Sequence, residues 1–373
     1  MSRRDARVLL DTLELGGTVE RGEGPAAGAL REGWRSVHGR AMAAALAWEG
    51  GVQWLARRLG SLGLAEAPPA ELRASLRAAA TAERAANLQV DEEAEEVVRY
   101  LLGRGIPCVL IKGTARRAAA GLYPCADARA TVDVDMLLTG EGVEAAWHDL
   151  RARGWPLATD ASATPAGHYH PPPLRGPHGV TVELHRSTAA ALPPDEAWRR
   201  ANSGADVVDW HGLRVRVPPA TELLWHGLAH ALDAGPRAFR LRYFLDGAAI
   251  LAAGAALDWE ELAARVSARA EVDPRLARAW LGAAARLAGR PLPPLLSDAQ
   301  VSFDLVRTMA WRLAVLGRGG GARFGERLLE EGTRAELRLP VTPVVEGTGA
   351  FRRSRRWVAG RAARLAYRAW RAA

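Results

Sequence analysis

Asp133 and Asp135 stand two residues apart in a largely apolar run, Thr131 to Leu138. Alternation along a strand puts both carboxylates on one face and Val132, Val134 and Met136 on the other, toward a core. Two like charges on a half-buried strand repel and lose hydration, so the pair is costly unless a cation joins it. Mg2+ takes hard oxygen ligands, often one or two carboxylates together with the phosphate oxygens of a substrate. Upstream, Cys108 to Ile111 reads as a buried strand, and Lys112, Gly113 and Thr114 follow it as a small-residue turn. Such a turn brings backbone N–H groups close to an anion, and the Ala-rich helix read from Ala115 to about Gly121 adds its N-terminus. One stretch therefore offers a phosphate cradle and a carboxylate pair for a metal ion.

Two further signals point to the same chemistry. Among 50 Lys and Arg residues, Lys112 is the one lysine. Arg is a planar fork and Lys a compact point charge, so a lysine kept beside a glycine suits a phosphate contact that a guanidinium would not fit. Chance survival of one codon is the alternative. Val180 to His185 alternates as a strand, with Val180, Val182 and Leu184 on one face and Thr181, Glu183 and His185 on the other. Glu183 is the candidate third carboxylate, as metal ligand or base. A solvent-facing Glu on an edge strand is the competing reading.

Lys112-Gly113, Tyr123-Pro124, Arg129 and Asp133-Val-Asp135-Met-Leu together resemble the uncharacterised nucleotidyltransferase family of the DNA-polymerase-β-like superfamily. Members read leucine-lysine-glycine, then tyrosine-proline, then an arginine four residues before an Asp-x-Asp-x-leucine strand. A valine-glutamate-leucine-histidine segment comes later, as at Val182 to His185. The wider superfamily has Gly-Gly or Gly-Ser where this chain has Lys112-Gly113, and a shorter gap to Asp-x-Asp. Both departures are usual in the narrower family. The resemblance implies an α+β fold, a small mixed-sheet core flanked by N-terminal and C-terminal helical regions. It implies Mg2+-dependent transfer of a nucleotidyl or phosphoryl group from an NTP to a hydroxyl-bearing acceptor: a small molecule, peptide, protein or RNA. Asp133, Asp135 and Glu183 would hold one or two Mg2+ ions and carry catalysis. Lys112, Gly113, Thr114, Arg129, His185 and Arg242 would hold the nucleotide.

Three regions position these residues. Residues 1–88 read as helices, with one long apolar periodicity from Arg31 to Leu59 ended by Gly60 and Gly63, and a second helix from Glu71 to Leu88. Asp5, Asp11 and the Glu residues there read as solvated charges. Residues 89–219 form the α/β core. In it Asp91 to Gly103 is an amphipathic helix, with Asp91, Glu92 and Glu93 enriching its first turn. Gly142 to Gly154 is the next helix, and Ala205 to Val217 is a hairpin turning at His211-Gly212. Pro218-Pro219 marks the boundary, and residues 220–373 are helical, opening at Thr221 as a cap.

The histidines leave roles open. His168 and His170 precede three prolines, which separate them from His178, and no cysteine lies near, so a zinc site is disfavoured against a loop that touches substrate phosphate or base, or a merely exposed loop. His226 and His230 share a helix face and, with Arg242 and Asp246, suit a buried polar network or a substrate contact. Phe351 to Ala373 is a basic helix suited to an anionic membrane or nucleic acid, or simply solvated.

Composition bounds the rest. A net charge of +8 favours anionic partners. Two cysteines make no disulfide framework, and the longest apolar stretch, Ala248 to Leu257, is too short to span a bilayer. With no signal-peptide pattern at the start, the cytoplasm is the expected location. The alternatives to an enzyme are a non-catalytic nucleotide-binding or scaffold protein that keeps the fold, and a basic nucleic-acid-binding protein.

Overall fold

The computed structural model describes residues 3–14, 25–37, 39–119, 121–122, 129–159, 168–189, 191–233, 240–297 and 304–316. Tyr123, Pro124, Cys125 and the basic C-terminal helix lie outside these residues. In chain order the first helices are α1 (Arg3–Leu13), α2 (Pro25–Arg35), α3 (Gly39–Glu49), α4 (Val52–Ser61) and α5 (Ala70–Gly103). Next come β1 (Cys108–Leu110), α6 (Lys112–Ala118), β2 (Asp133–Leu138), α7 (Gly140–Ala152), β3 (Leu174–Arg175), β4 (Thr181–His185) and α8 (Pro194–Asn202). Then β5 (Asp206–Trp210), β6 (Leu213–Val217), α9 (Ala220–Asp233), α10 (Leu241–Ala252), α11 (Trp259–Ala268), α12 (Pro274–Ala288) and α13 (Leu305–Leu316) complete the order. This is a helix-rich α+β fold with a small mixed sheet. No described helix is long and apolar enough to cross a membrane.

Two compact units divide the chain. The first collects Met1–Ala78, Ala231–Ala248 and Val272–Ala373; the second collects Ala79–His230 and Ala249–Glu271. In the first, α1 packs on α2, α4, α12 and α13. Its core holds Leu9, Leu13, Trp34, Leu55 and Trp280, and the Trp34 indole donates to Thr12 Oγ1 at 2.9 Å. The apolar periodicity read as one helix from Arg31 to Leu59 is three helices. Gly50 adopts φ +70, which lets α3 end and α4 start in a new direction. Asp5 and Glu49 are buried rather than solvated. Glu49 accepts from Arg312 Nε at 2.9 Å and from the Leu241 N–H at 2.7 Å, so its charge is paired inside the core.

The second unit is built on a four-stranded sheet of order β1-β2-β4-β3. β1 is antiparallel to β2, β2 is parallel to β4, and β3 is antiparallel to β4. Parallel neighbours need a crossover, and α7 lies within it. Val109, Ile111 and Leu137 form a core with Ala201 and Trp198 of α8. Beside β1 packs the β5–β6 hairpin, whose turn uses left-handed His211 and Gly212, the I′ geometry that matches strand twist.

Four local expectations need correction in this unit. The helices read at Glu71–Leu88 and Asp91–Gly103 are one helix, α5, because nothing between Leu88 and Asp91 breaks it. Asp91 and Glu93 therefore sit in mid-helix, where they serve as long-range partners instead of first-turn charges. β2 starts at Asp133, leaving Val132 69% exposed and outside the core. α6 starts at Lys112, three residues before the expected helix. Thr221 lies inside α9, and its hydroxyl accepts from the Asp258 N–H at 2.9 Å instead of capping its own helix.

Candidate active site

β2 and β4 are the two inner strands, and their parallel register sets Asp135 directly opposite Glu183, Asp133 opposite Thr181 and Leu137 opposite His185. Neighbouring strands lie about 4.8 Å apart, so Asp133, Asp135, Glu183 and His185 share one face in a small volume. Glu183 thus stands on an interior strand, not a sheet edge. Val134, Met136, Val182 and Leu184 fill the opposite, buried face. β1 brings the lysine. The Ile111 N–H still bonds the Asp135 carbonyl at 3.2 Å, and Lys112 then turns with φ 50. Left-handed backbone is uncommon for a residue with a side chain, and at a functional site it aims that side chain. Here it carries Lys112 Nζ back to 2.6 Å from Asp135 Oδ1, 3.2 Å from Glu183 Oε2 and 3.4 Å from His185 Nε2.

Buttresses from distant sequence fix this geometry. Asn87 of α5 accepts from the Thr131 N–H at 3.0 Å and donates to the Arg129 carbonyl at 3.3 Å, holding the lead-in to β2. α6 presses on the same lead-in at Gly113, where a Cβ would fall 2.8 Å from Thr131 Cγ2. Glu93 accepts from the His178 and Val180 N–H groups at 2.9 and 3.4 Å, fixing the turn before β4. Asp91 pairs with Arg117 of α6, and both are buried.

The charges are strongly coupled. Burial, then Asp135, pushes the Asp133 carboxyl up to about 7, against the pull of Lys112 and Arg129. Burial also works to raise Asp135 and Glu183, but Lys112 and the hydrogen bonds of His185 overcome it and hold both below the usual carboxylate range. His185 Nε2 is 2.8 Å from Asp135 Oδ1, and the imidazole is fully buried with Tyr169 stacked on it at 5.6 Å between centroids. His170 packs edge-on to His185 and reaches within 3.9 Å of Glu183 Oε2; burial, then the charge of His185, lowers it to about 4. On α9, burial and the neighbouring cations keep His226 well below its ordinary value and bring His230 to about 3, both neutral at pH 7. Their rings lie 6.3 Å apart. Between them Gly227 gives room to Arg116 of α6, which reaches across to the Leu223 carbonyl at 3.4 Å.

The structure brings Asp133, Asp135, Glu183, His185 and Lys112 together. Arg129 is buried beside them, and its charge is felt by Asp133. Gly113 and Thr114 are also buried, and the Thr114 hydroxyl has no hydrogen-bond partner among the described residues. Arg242 belongs to the first unit, where it donates to the Tyr243 hydroxyl at 3.1 Å and lies over that ring. His170, Tyr169, Asn87 and Glu93 were not assigned to the site from sequence. The run His168-Tyr169-His170 was the one local signal for the first two; Asn87 and Glu93 left none.

The residues fit a divalent cation. Asp135, Glu183 and His185 each offer a ligand atom, all within 4.8 Å of one another. Asp135 Oδ2 is buried with no hydrogen-bond partner among the described residues, the position of an oxygen awaiting a cation. Asp133 adds another hard oxygen on the same face, so carboxylates outnumber imidazoles in the donor set.

Neither a curated protein nor a solved structure matches the chain. A family model described as an uncharacterised nucleotidyltransferase matches residues 36–283, which take in both inner strands, α6 and α9. The chain belongs to that uncharacterised nucleotidyltransferase family.

Proposed function

We propose that this protein is a Mg2+-dependent nucleotidyltransferase with a polymerase-β-like core, moving the nucleotidyl group of an NTP to a hydroxyl-bearing acceptor. The observation that carries the reading is the convergence of Asp133, Asp135 and Glu183 on one face of two parallel strands, with Asp135 Oδ2 buried and without a hydrogen-bond partner among the described residues. Asp133, Asp135 and Glu183 are the residues that would hold the metal. When bound, it neutralises the phosphate charge that develops during transfer. The chain's own groups do the rest. Asp133, pushed up to about 7, is about half protonated at pH 7, and as a carboxylate it would offer the metal a further hard oxygen. Glu183 would orient the acceptor hydroxyl as its oxygen attacks the α-phosphorus, its proton passing to water while pyrophosphate departs. Lys112 offers its ammonium to the phosphates, and Arg129 steadies the approach to β2. His185, held between Tyr169 and the carboxylates, fixes their orientation.

A second reading, a non-catalytic binding protein, is favoured by one observation: Lys112 Nζ already compensates the acidic cluster. Turnover separates the two readings, and calorimetry with a non-hydrolysable NTP analogue tests the metal site that the first one needs. The proposal expects binding that needs Mg2+ and is lost in Asp135→Asn. Binding of equal strength with chelator present, or unchanged in that variant, removes the metal site from the function.

A further inference from the structure

The groups that would hold a cation already hold one. Lys112 Nζ sits at 2.6 Å from Asp135 and 3.2 Å from Glu183, two of the three carboxylates that would hold the metal, and 3.4 Å from His185, whose ring nitrogen lies within 4.8 Å of both. The ammonium stem is nearly buried, with its side chain 12% exposed. It arrives by a left-handed backbone turn, not by the drift of a flexible surface chain. An ammonium and a divalent ion within this triangle would repel at short range, so they compete for it.

Resting on the nucleotidyltransferase reading, we infer that Lys112 is a resident counterion that blocks metal entry in the nucleotide-free protein, and that triphosphate draws it away so that metal and NTP enter together. Without Lys112, Asp135, Glu183 and Asp133 would bind a divalent ion on their own, as clustered carboxylates do. With it, a free ion must displace a charge-assisted hydrogen bond of 2.6 Å and leave a buried ammonium with no partner. A triphosphate supplies that ammonium with new anionic partners, which removes the penalty. Lys112 is then a positioning residue that makes metal binding conditional on substrate. Such coupling is reciprocal: metal must raise nucleotide affinity by the factor by which nucleotide raises metal affinity.

Because Lys112 is the one lysine in the chain, the test has a clean wild-type arm. Protein labelled with 15N-lysine gives one side-chain ammonium resonance. Mg2+ alone at millimolar concentration is expected to leave it in place, and Mg2+ with a non-hydrolysable NTP analogue to shift it. In parallel, Mn2+ affinity is measured by electron paramagnetic resonance. Nucleotide-free Lys112→Met should bind Mn2+ at least tenfold more tightly than wild type, and the analogue should close that gap. If Lys112→Met does not fold, the resonance alone decides. Equal nucleotide-free Mn2+ affinities, or a resonance displaced by Mg2+ alone, overturn the inference and leave the metal site intact. A resonance unmoved by Mg2+ with the analogue overturns it too. If neither wild type nor Lys112→Met binds Mn2+ with or without the analogue, the nucleotidyltransferase reading itself fails.

Discussion

Asn87→Ala should cost about 2 kcal/mol of stability and loosen the start of β2, although Asn87 lies 46 residues before Asp133 in sequence. The side chain is 1% exposed and bonds both the Thr131 N–H, at 3.0 Å, and the Arg129 carbonyl, at 3.3 Å. Truncation leaves the Thr131 N–H with no acceptor among the described residues, while the Arg129 carbonyl keeps a contact with Thr131 Oγ1 at 3.5 Å. Thr131 is 3% exposed, so water does not readily replace the lost acceptor. A buried orphan donor costs about 1–3 kcal/mol, and the lost bond to Arg129 adds a few tenths. Urea denaturation measures the total, and hydrogen exchange at the Thr131 amide reads the local effect. Protection there should fall, and Mn2+ affinity in the presence of an NTP analogue should fall with it, because Asp133 begins two residues later. A loss below about 0.5 kcal/mol with unchanged Thr131 protection would refute the clamp.

The two aspartates should behave differently in chelator: Asp133→Asn equal to or more stable than wild type, since it removes a carboxylate pushed up to about 7, and Asp135→Asn less stable, since Lys112 and His185 lose their partner. Both should abolish transfer, and chemical denaturation with turnover assays checks the pair. Burial raises Glu83 to about 7, against the pull of Arg129, so the native state binds its proton between about pH 4.5 and 7. Its contribution therefore weakens as pH rises through that window, and Glu83→Gln should match wild type near pH 4.5 yet be more stable at pH 8; melts across pH showing a constant difference contradict this. In Gly227→Ala the new methyl collides with the Arg116 guanidinium and should destabilise by about 1–3 kcal/mol, which a urea midpoint resolves.

The inner strands were legible because their signals are local. Period-two alternation gave Asp133 with Asp135 and Glu183 with His185, and the structure sets those pairs on neighbouring strands. The hairpin turn at His211-Gly212 was legible for the same reason, since two residues alone determine it. What was hidden depends on distance or on a single torsion. Nothing in the residue types around Lys112 reveals φ 50, and that torsion turns a phosphate-turn lysine into a partner of Asp135. Glu93 looked like a helix-dipole residue because its partners, His178 and Val180, lie 85 and 87 positions away. Val132 fitted the strand pattern, yet β2 begins one residue after it, and periodicity does not say where a ladder starts. The long periodicity from Arg31 to Leu59 concealed two breaks, because short helices that pack on one core repeat the same apolar spacing.

The face bearing Asp133, Asp135 and Glu183 is proposed to transfer a nucleotidyl group. Mass spectrometry of hydroxyl-bearing acceptors, incubated with Mg2+ and a mixture of NTPs, tests it most directly. Wild type should add the mass of a nucleoside monophosphate to an acceptor and release pyrophosphate, while Asp135→Asn gives neither. Adducts formed equally by the variant, or release of nucleoside diphosphate with a phosphoryl-sized mass gain, would contradict it.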